Sequence, residues 1–208
     1  MSSNRAQMGL RKPVLIVIAG PNGSGKTSTT RLVVKHEWAE KCVYINPDEI
    51  AQSKFGDWND ANAVRQAVEY CEEWRERLLK EHKDFIFETV LSSEGKVDFL
   101  KRAKEEGYFI RMFFICTQNP TINAARIAKR VMEGGHDVPI QKIISRYQKA
   151  VVNAARVMQF ADRVYFYDNS VDDQNAKLLF RTTDGKFAKQ YVDSLPEWTE
   201  TITDNLKQ

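Results

Sequence analysis

The feature that most constrains this chain is the stretch VLIVIAGPNGSGKTSTTRL, residues 14–32. Val14 to Ala19 is an apolar run rich in β-branched residues, which reads as a short strand buried on both faces. Gly20, Gly25, Lys26 and Thr27 then satisfy G-x-x-x-x-G-K-[ST], and Leu32, Val33 and His36 follow at helical spacing. The glycines let the backbone curl so that N–H groups point inward at phosphate oxygens. The helix that follows adds its positive end. In this reading Gly20, Asn22, Gly23, Ser24, Gly25, Lys26, Thr27 and Ser28 form a nucleotide-binding loop. Lys26 would reach the β- and γ-phosphates, and Thr27 would offer its hydroxyl to Mg²⁺.

A length of 208 residues suits one α/β domain, 1–208, with residues 1–12 as a flexible lead-in and 121–160 as a helical lid region. The 31 basic and 28 acidic residues leave a net charge of +3, too small to imply a nucleic-acid partner, and none is expected. No apolar run approaches the length of a membrane span, and residues 1–12 lack the apolar core of an export signal. Cys42, Cys71 and Cys116 are isolated in apolar surroundings and suit a reducing compartment, so a cytoplasmic location is expected. His36, His82 and His136 are too scattered to draw a zinc site.

Beyond the loop, CVYI (42–45) reads as a second strand and residues 61–82 as a long helix capped by Asn59 or Asp60. Val64, Ala67, Val68, Cys71, Leu78 and Leu79 form its apolar stripe. FIFE (85–88) is a third strand, and a helix capped by Ser92 or Ser93 runs to Gly107. Residues 108–116 make a fourth strand, followed by a helix started by Pro120, another over 140–160 and a strand at 163–167. A hairpin with its turn at Asp184-Gly185 lies within 177–192. Strands alternating with helices predict a P-loop NTPase fold: a mainly parallel sheet, helices on both faces, a helical lid and a C-terminal hairpin.

Ligands of such sheets gather at the carboxyl ends of the strands. After the second strand comes NPDEI, where Asp48 is either a general base for an acceptor hydroxyl or a helix cap. Glu88 ends the third strand; it either meets a substrate hydroxyl or a Mg²⁺-bound water, or is a solvated carboxylate. Thr89, Ser92 and Ser93 line the same mouth, with a serine there serving as cap. On the next helix Ala124, Ile127, Ala128 and Val131 form the apolar stripe, while Asn123, Arg126, Arg130 and Glu133 share another face. On the helix after it Ile140, Ile143, Ile144, Tyr147, Val151 and Ala154 point inward, and Lys142, Arg146, Lys149, Asn153 and Arg156 outward. Gly134 and Gly135 hinge the two helices into a lid whose Arg130 and Arg146 are candidates to stabilise a transferring phosphoryl group. Lys142, Lys149 and Arg156 read as solvated, and His136 as a turn residue.

GPNGSGKTS, INPDEI, FIFETVLS and RVMEGGHDVPIQKIISRY, followed by YDNS, resemble in this order the motifs of the zeta-toxin family of P-loop kinases. The resemblance spans roughly residues 14–170, and its most specific part is the Gly-Gly-His…Val-Pro…Arg lid. It implies ATP and Mg²⁺ as cofactors, with Lys26 and Thr27 holding ATP·Mg²⁺ and Asp48 as base. It also implies that Glu88 contacts the acceptor and that Arg130 and Arg146 clamp phosphates. Some members phosphorylate UDP-N-acetylglucosamine, so a small-molecule acceptor of that kind is expected, bounded by Asp48, Glu88 and Thr89. Where the family often has a threonine this chain has Val90. An antitoxin partner is implied by the family and by nothing else in the chain. The alternatives are a nucleoside or polynucleotide 5′-kinase, and a nucleotide-binding regulator without turnover.

Overall fold

The computed structural model describes residues 11–56, 60–134 and 138–207, without the side chains of Trp38, Asp48 and Ala61. The elements are β1 (Val14–Ala19), α1 (Lys26–Val33), β2 (Val43–Ile45), α2 (Pro47–Phe55), α3 (Ala61–Lys80), β3 (Phe85–Thr89) and α4 (Glu94–Glu105). They continue as β4 (Phe109–Cys116), α5 (Pro120–Met132), α6 (Ile140–Met158), β5 (Arg163–Asp168), β6 (Lys177–Thr183), β7 (Lys186–Gln190) and α7 (Glu200–Thr203). They build a seven-stranded sheet of order β2-β3-β1-β4-β5-β6-β7. The first five strands in that order are parallel, and β6 and β7 extend the edge antiparallel. The expected α/β P-loop architecture is therefore the observed one.

Leu15, Val17 and Ala19 of β1 face one layer while Ile16 and Ile18 face the other, and all are fully buried. Burial on both faces is why this strand carries no polar alternation. In the larger layer Phe85, Phe87, Met112 and Phe114 pack with Leu78, Leu79, Leu100, Ala154 and Trp198. In the smaller one Ile86, Phe113 and Ile115 lie with Val33 and Ala39. β1 sits between β3 and β4, so the chain leaves it toward one side of the sheet and later returns on the other. The crevice at its carboxyl end is where such sheets bind ligands.

Several local expectations hold. Asp60 caps α3 by accepting from the Ala63 N–H at 2.7 Å. Gly107 follows α4 with φ 84°, and Asp184 and Gly185 turn the hairpin with φ 52° and 81°. Cys71 and Cys116 are buried, Cys42 is half-buried, and none of the three forms a disulfide among the described residues.

Others are corrected. The sequence pattern does not announce α2 and α7: α7 is only four residues long, and the nine residues of α2 carry no clear apolar stripe. α1 ends before His36. Ser93 holds the N-cap position of α4 without a side-chain capping bond. Val68, Ile140 and Ile144, which fall on apolar stripes, are 42%, 61% and 40% exposed. Of the α5 stripe only Ile127 is buried. Asn153, expected to face outward, is buried and donates to the Leu91 carbonyl at 2.9 Å. Leu91 has φ 58°, a left-handed conformation that leaves its peptide groups outside any ladder.

The carboxyl end of β5 is pinned from both sides. Asp168 accepts from the Ser170 N–H through Oδ1 and from the buried Trp198 indole through Oδ2, each at 2.9 Å. Trp198→Phe keeps most of the packing but removes a hydrogen bond to a carboxylate. It should lower stability by about 1–2 kcal/mol, seen as a lower urea midpoint at unchanged m-value.

Candidate active site

The loop between β1 and α1 is shaped by where its carbonyls go. Lys26 Nζ donates to the carbonyls of Gly20 and Pro21, both at 2.9 Å. The Asn22 carbonyl accepts from Asn123 Nδ2 at 2.6 Å and the Gly23 carbonyl from Arg126 Nη1 at 3.4 Å. Asn169 Nδ2 donates to the Ser24 carbonyl at 2.9 Å. Five successive carbonyls are thus occupied, the last three by donors from outside the loop. The N–H groups of Asn22, Gly23, Gly25, Lys26 and Thr27 have no backbone acceptor among the described residues. That is an anion nest opening onto the positive end of α1.

Glycine is required at two of these positions for steric reasons. Gly23 has φ 75°, and a Cβ there would come within 2.7 Å of the Asn123 carbonyl oxygen. Gly25 has φ 88°, and its Cβ would overlap the Asn169 amide. Ser24 is fully buried, its N–H bonds to the Pro21 carbonyl at 3.3 Å, and its Oγ has no partner among the described residues. Thr27 and Ser28 lie on the open side, and both are exposed.

Asn123, which the helical pattern puts on a polar outer face of α5, is instead fully buried. Its Oδ1 accepts from the Thr117 hydroxyl. Arg126 also pairs with Asp172, at 2.6 Å from Nη2. Neither residue stands out in the sequence, because the signal that would find them is a contact across 101 and 103 residues.

Glu88 stands at the carboxyl end of β3, half-buried. Its Oε1 accepts from the Thr30 hydroxyl at 2.7 Å and from the Tyr44 hydroxyl at 3.0 Å. Tyr44, on β2, is another site residue without a sequence signal. Burial, and then the Glu88 charge, push its phenol pKa up, so it remains a donor. A Mg²⁺-bound water would have to meet the other oxygen of Glu88, with the exposed Thr27 hydroxyl as the group on the loop side. Among the described residues no cluster of three or more His, Cys, Asp or Glu side chains forms a metal site by itself. A metal in this mouth would depend on nucleotide phosphates for its remaining ligands.

Thr89 accepts the Leu91 N–H through Oγ1 at 3.1 Å, and its carbonyl accepts the Gly20 N–H at 3.2 Å. It therefore ties the third strand to the phosphate loop while bordering the mouth. Arg146 Nη1 donates to Asn22 Oδ1 at 3.3 Å. The same residue lines a cavity of about 380 Å³ with Pro47, Glu88, Thr89, Val90 and Arg75. Arg130 is exposed on α5, close enough for its charge to act on Lys26. Arg156 pairs with Glu94 at the outer surface, while Lys142 and Lys149 are exposed. Asp48 belongs to the first turn of α2, after Pro47, so it is inside the helix rather than at its cap. Its side chain, like Asn59, Gly135 and His136, lies outside the described structure.

A second cavity, of about 240 Å³, opens on the other side of the loop. It is lined by Gly25, Ser28, Leu32, Phe113, Tyr167 and Asn169, among others. An apolar slot edged with amides, touching the first turn of α1, can accept a planar base whose phosphates lie in the nest.

The nest, its lysine and the parallel sheet around β1 define a P-loop fold of the kinase type. The zeta toxin sequence profile matches residues 2–183, and the chain belongs to that family. Among solved structures it is similar to the native AvrRxo1-ORF1:-ORF2 complex, with a TM-score of 0.64 and 17% identity. That match covers 93% of this chain and 63% of the other, so this chain spans less than two thirds of that protein. It is also similar to the PezAT toxin–antitoxin structure of Streptococcus pneumoniae, with a TM-score of 0.55 and 18% identity over 83% of this chain and 74% of that one. An uncharacterized protein of Haemophilus influenzae is 28% identical over 139 residues, 64% of this chain and 91% of its own.

Burial of its ammonium lowers the Lys26 pKa to about 8, with Arg130 adding to the shift and Glu88 opposing it. Unfolded, the same group would titrate near 10.5, so between these values the unfolded chain binds more protons and stability rises with pH. Below the lower value the buried charge is a standing cost. A nucleotide phosphate beside the ammonium reverses the shift, so ATP binding at a pH just above 8 should take up protons. Calorimetry in buffers of different ionisation heat measures this uptake, and Lys26→Met should abolish it.

Proposed function

We propose that this protein is an ATP-dependent phosphotransferase that moves the γ-phosphoryl group to a hydroxyl of a small acceptor. The acceptor class it fits best is a UDP-amino sugar such as UDP-N-acetylglucosamine. The observation that carries the reading is the position of Arg146, which hydrogen-bonds the phosphate loop and also lines the cavity that holds Glu88 and Thr89. One guanidinium between the nest and the cavity is where charge on a phosphoryl group in transit needs a partner.

In this mechanism the nest and Lys26 hold the β- and γ-phosphates, and the base lies in the slot beside Ser28 and Tyr167. Mg²⁺, held by Thr27, would neutralise phosphate charge. The acceptor oxygen attacks the γ-phosphorus, the bond to the β–γ bridging oxygen breaks, and ADP leaves with that electron pair. Asp48, on the first turn of α2, is assigned the hydroxyl proton. Arg130 and Arg146 stabilise the charge spread over the transferring oxygens. Glu88, oriented by Thr30 and Tyr44, accepts a hydrogen bond from an acceptor hydroxyl. Cysteines outside any disulfide among the described residues and ATP consumption suit the cytoplasm, and no described helix is long and apolar enough to cross a membrane. The similarity to the PezAT toxin–antitoxin structure supports an antitoxin as protein partner here too.

Mass spectrometry of reactions with ATP and a panel of UDP-sugars, nucleosides and oligonucleotides tests the acceptor. Phosphorylated UDP-amino sugar is the expected product. Labelled oligonucleotide ends with unreacted UDP-sugars would replace it with a polynucleotide 5′-kinase.

Single substitutions test the roles. Lys26→Ala should abolish transfer in a folded protein, and Asp48→Asn should collapse kcat with little change in Tm. Arg146→Ala should lower kcat/KM by about a hundredfold or more while weakening ATP binding much less. Glu88→Gln should raise the acceptor KM more than the ATP KM. Full activity of Lys26→Ala would remove the kinase reading altogether.

A further inference from the structure

The cavity beside Glu88 has a basic far wall that the transfer mechanism does not use. Arg75 of α3 is only 8% exposed, and its guanidinium lies 4.9 Å from the Phe87 ring centre and 5.7 Å from that of Phe99. It borders both the cavity with Glu88 and an adjoining one of about 290 Å³ between α3 and α4. Lys96 borders both as well. The two cations share one carboxylate oxygen: Glu72 Oε1 is 2.5 Å from Lys96 Nζ and 3.3 Å from Arg75 Nη2. The Glu72 side chain is 52% exposed, so the carboxylate that Arg75 and Lys96 share is half-solvated. Glu88 lies in the same cavity, and Glu76, which lines the adjoining one, is already paired with Arg102. Ser93, whose side chain leaves its own helix uncapped, lines both cavities, and with it the amino end of α4 faces the same recess.

A guanidinium held against two phenylalanines is costly to desolvate, and an exposed carboxylate offsets little of that cost. A leucine or methionine would fill the same space. The charge makes sense if something anionic enters the recess. We propose that Arg75, Lys96 and the amino end of α4 form an anion subsite for a phosphate or diphosphate of the acceptor, whose reacting hydroxyl lies at Glu88. The inference rests on reading this cavity as the acceptor site, and it adds the residues that would hold the acceptor's phosphate. The competing role is a purely structural tie between α3 and α4, alongside the Glu76–Arg102 pair.

Binding calorimetry on the full chain, saturated with ADP, separates these roles with three ligands that share one sugar. The ligands are N-acetylglucosamine, its 1-phosphate and UDP-N-acetylglucosamine. The phosphorylated forms should bind at least about tenfold more tightly than the free sugar. Lys96→Gln, and Arg75→Met, which keeps the packing on both rings, should each weaken them by about tenfold. Neither should change the affinity for free sugar or ADP. A loss for the monophosphate alone, or for the diphosphate alone, tells which phosphate source the subsite takes. Equal losses for the free sugar, or no loss at all, would overturn the subsite. If none of the sugars binds, pyrophosphate added to the ADP-saturated protein decides independently of the acceptor reading. Binding weakened by Lys96→Gln keeps the subsite and dismisses the sugar; binding unaffected by both variants dismisses the subsite. Lys96 is partly exposed, so its variant folds even where Arg75→Met does not.

Discussion

Everything at the candidate site depends on which way the peptide groups of the loop between Pro21 and Thr27 point. A nest binds phosphate only if its N–H groups face inward, and a peptide that turns its N–H in must turn its carbonyl out. Here each carbonyl from Gly20 to Ser24 meets a donor: Lys26 of the loop itself for the first two, then Asn123, Arg126 and Asn169 from outside it. The nest is therefore a property of the assembled fold. The glycines permit its shape, but the donors on α5 and after β5 hold it. The first turns of α5 are consequently part of the loop's frame, with Gly23 packed against the Asn123 backbone where no side chain would fit.

The same frame sets the electrostatics. Lys26 is shielded from water and close to Arg130, which lowers its pKa, while Glu88 across the mouth pulls the other way. Glu88 is held by two hydroxyls, so its charge stays available to whatever enters between the strands. Arg146 reaches the loop from α6, and Tyr147 beside it fixes that helix by donating to the Thr117 carbonyl at 2.5 Å. The chain thus surrounds one mouth with groups from β2, β3, α1 and α6, each anchored by a separate contact. An arrangement of that kind is preorganised, which is what phosphoryl transfer needs from a protein that supplies little covalent chemistry.

The strands and long helices are legible in the sequence because their signals are local. β1 is a continuous apolar run and β4 is one broken only by Arg111, since their faces are covered for most of their length, and turn residues bound the hairpin and α4. The short helices and the lid stripes are less legible. Val68, Ile140 and Ile144 have the spacing of core residues, yet exposure depends on what lies beneath a helix, and periodicity does not report that. Asn153 and Asn123 mislead for the converse reason. An amide on a helix looks solvated until a distant carbonyl needs a donor.

By itself the sequence determined the phosphate loop and the order of strands and helices, and it nominated Lys26, Thr27, Asp48, Glu88, Arg130 and Arg146 as chemistry-bearing groups. These follow from residue type at fixed spacing along a few turns of chain. Only the tertiary structure decided that Asn123, Arg126 and Asn169 hold the loop and that Tyr44 and Thr30 orient Glu88. It also decided that Arg75 and Lys96 share a recess with Glu88. The hydrogen bonds among these partnerships join residues from 44 to 145 positions apart. Local spacing sets the shape of a turn or the face of a helix, but it holds no record of which distant side chain arrives beside it. That is decided when the sheet places β1 between β3 and β4 and brings α5 and α6 against the loop.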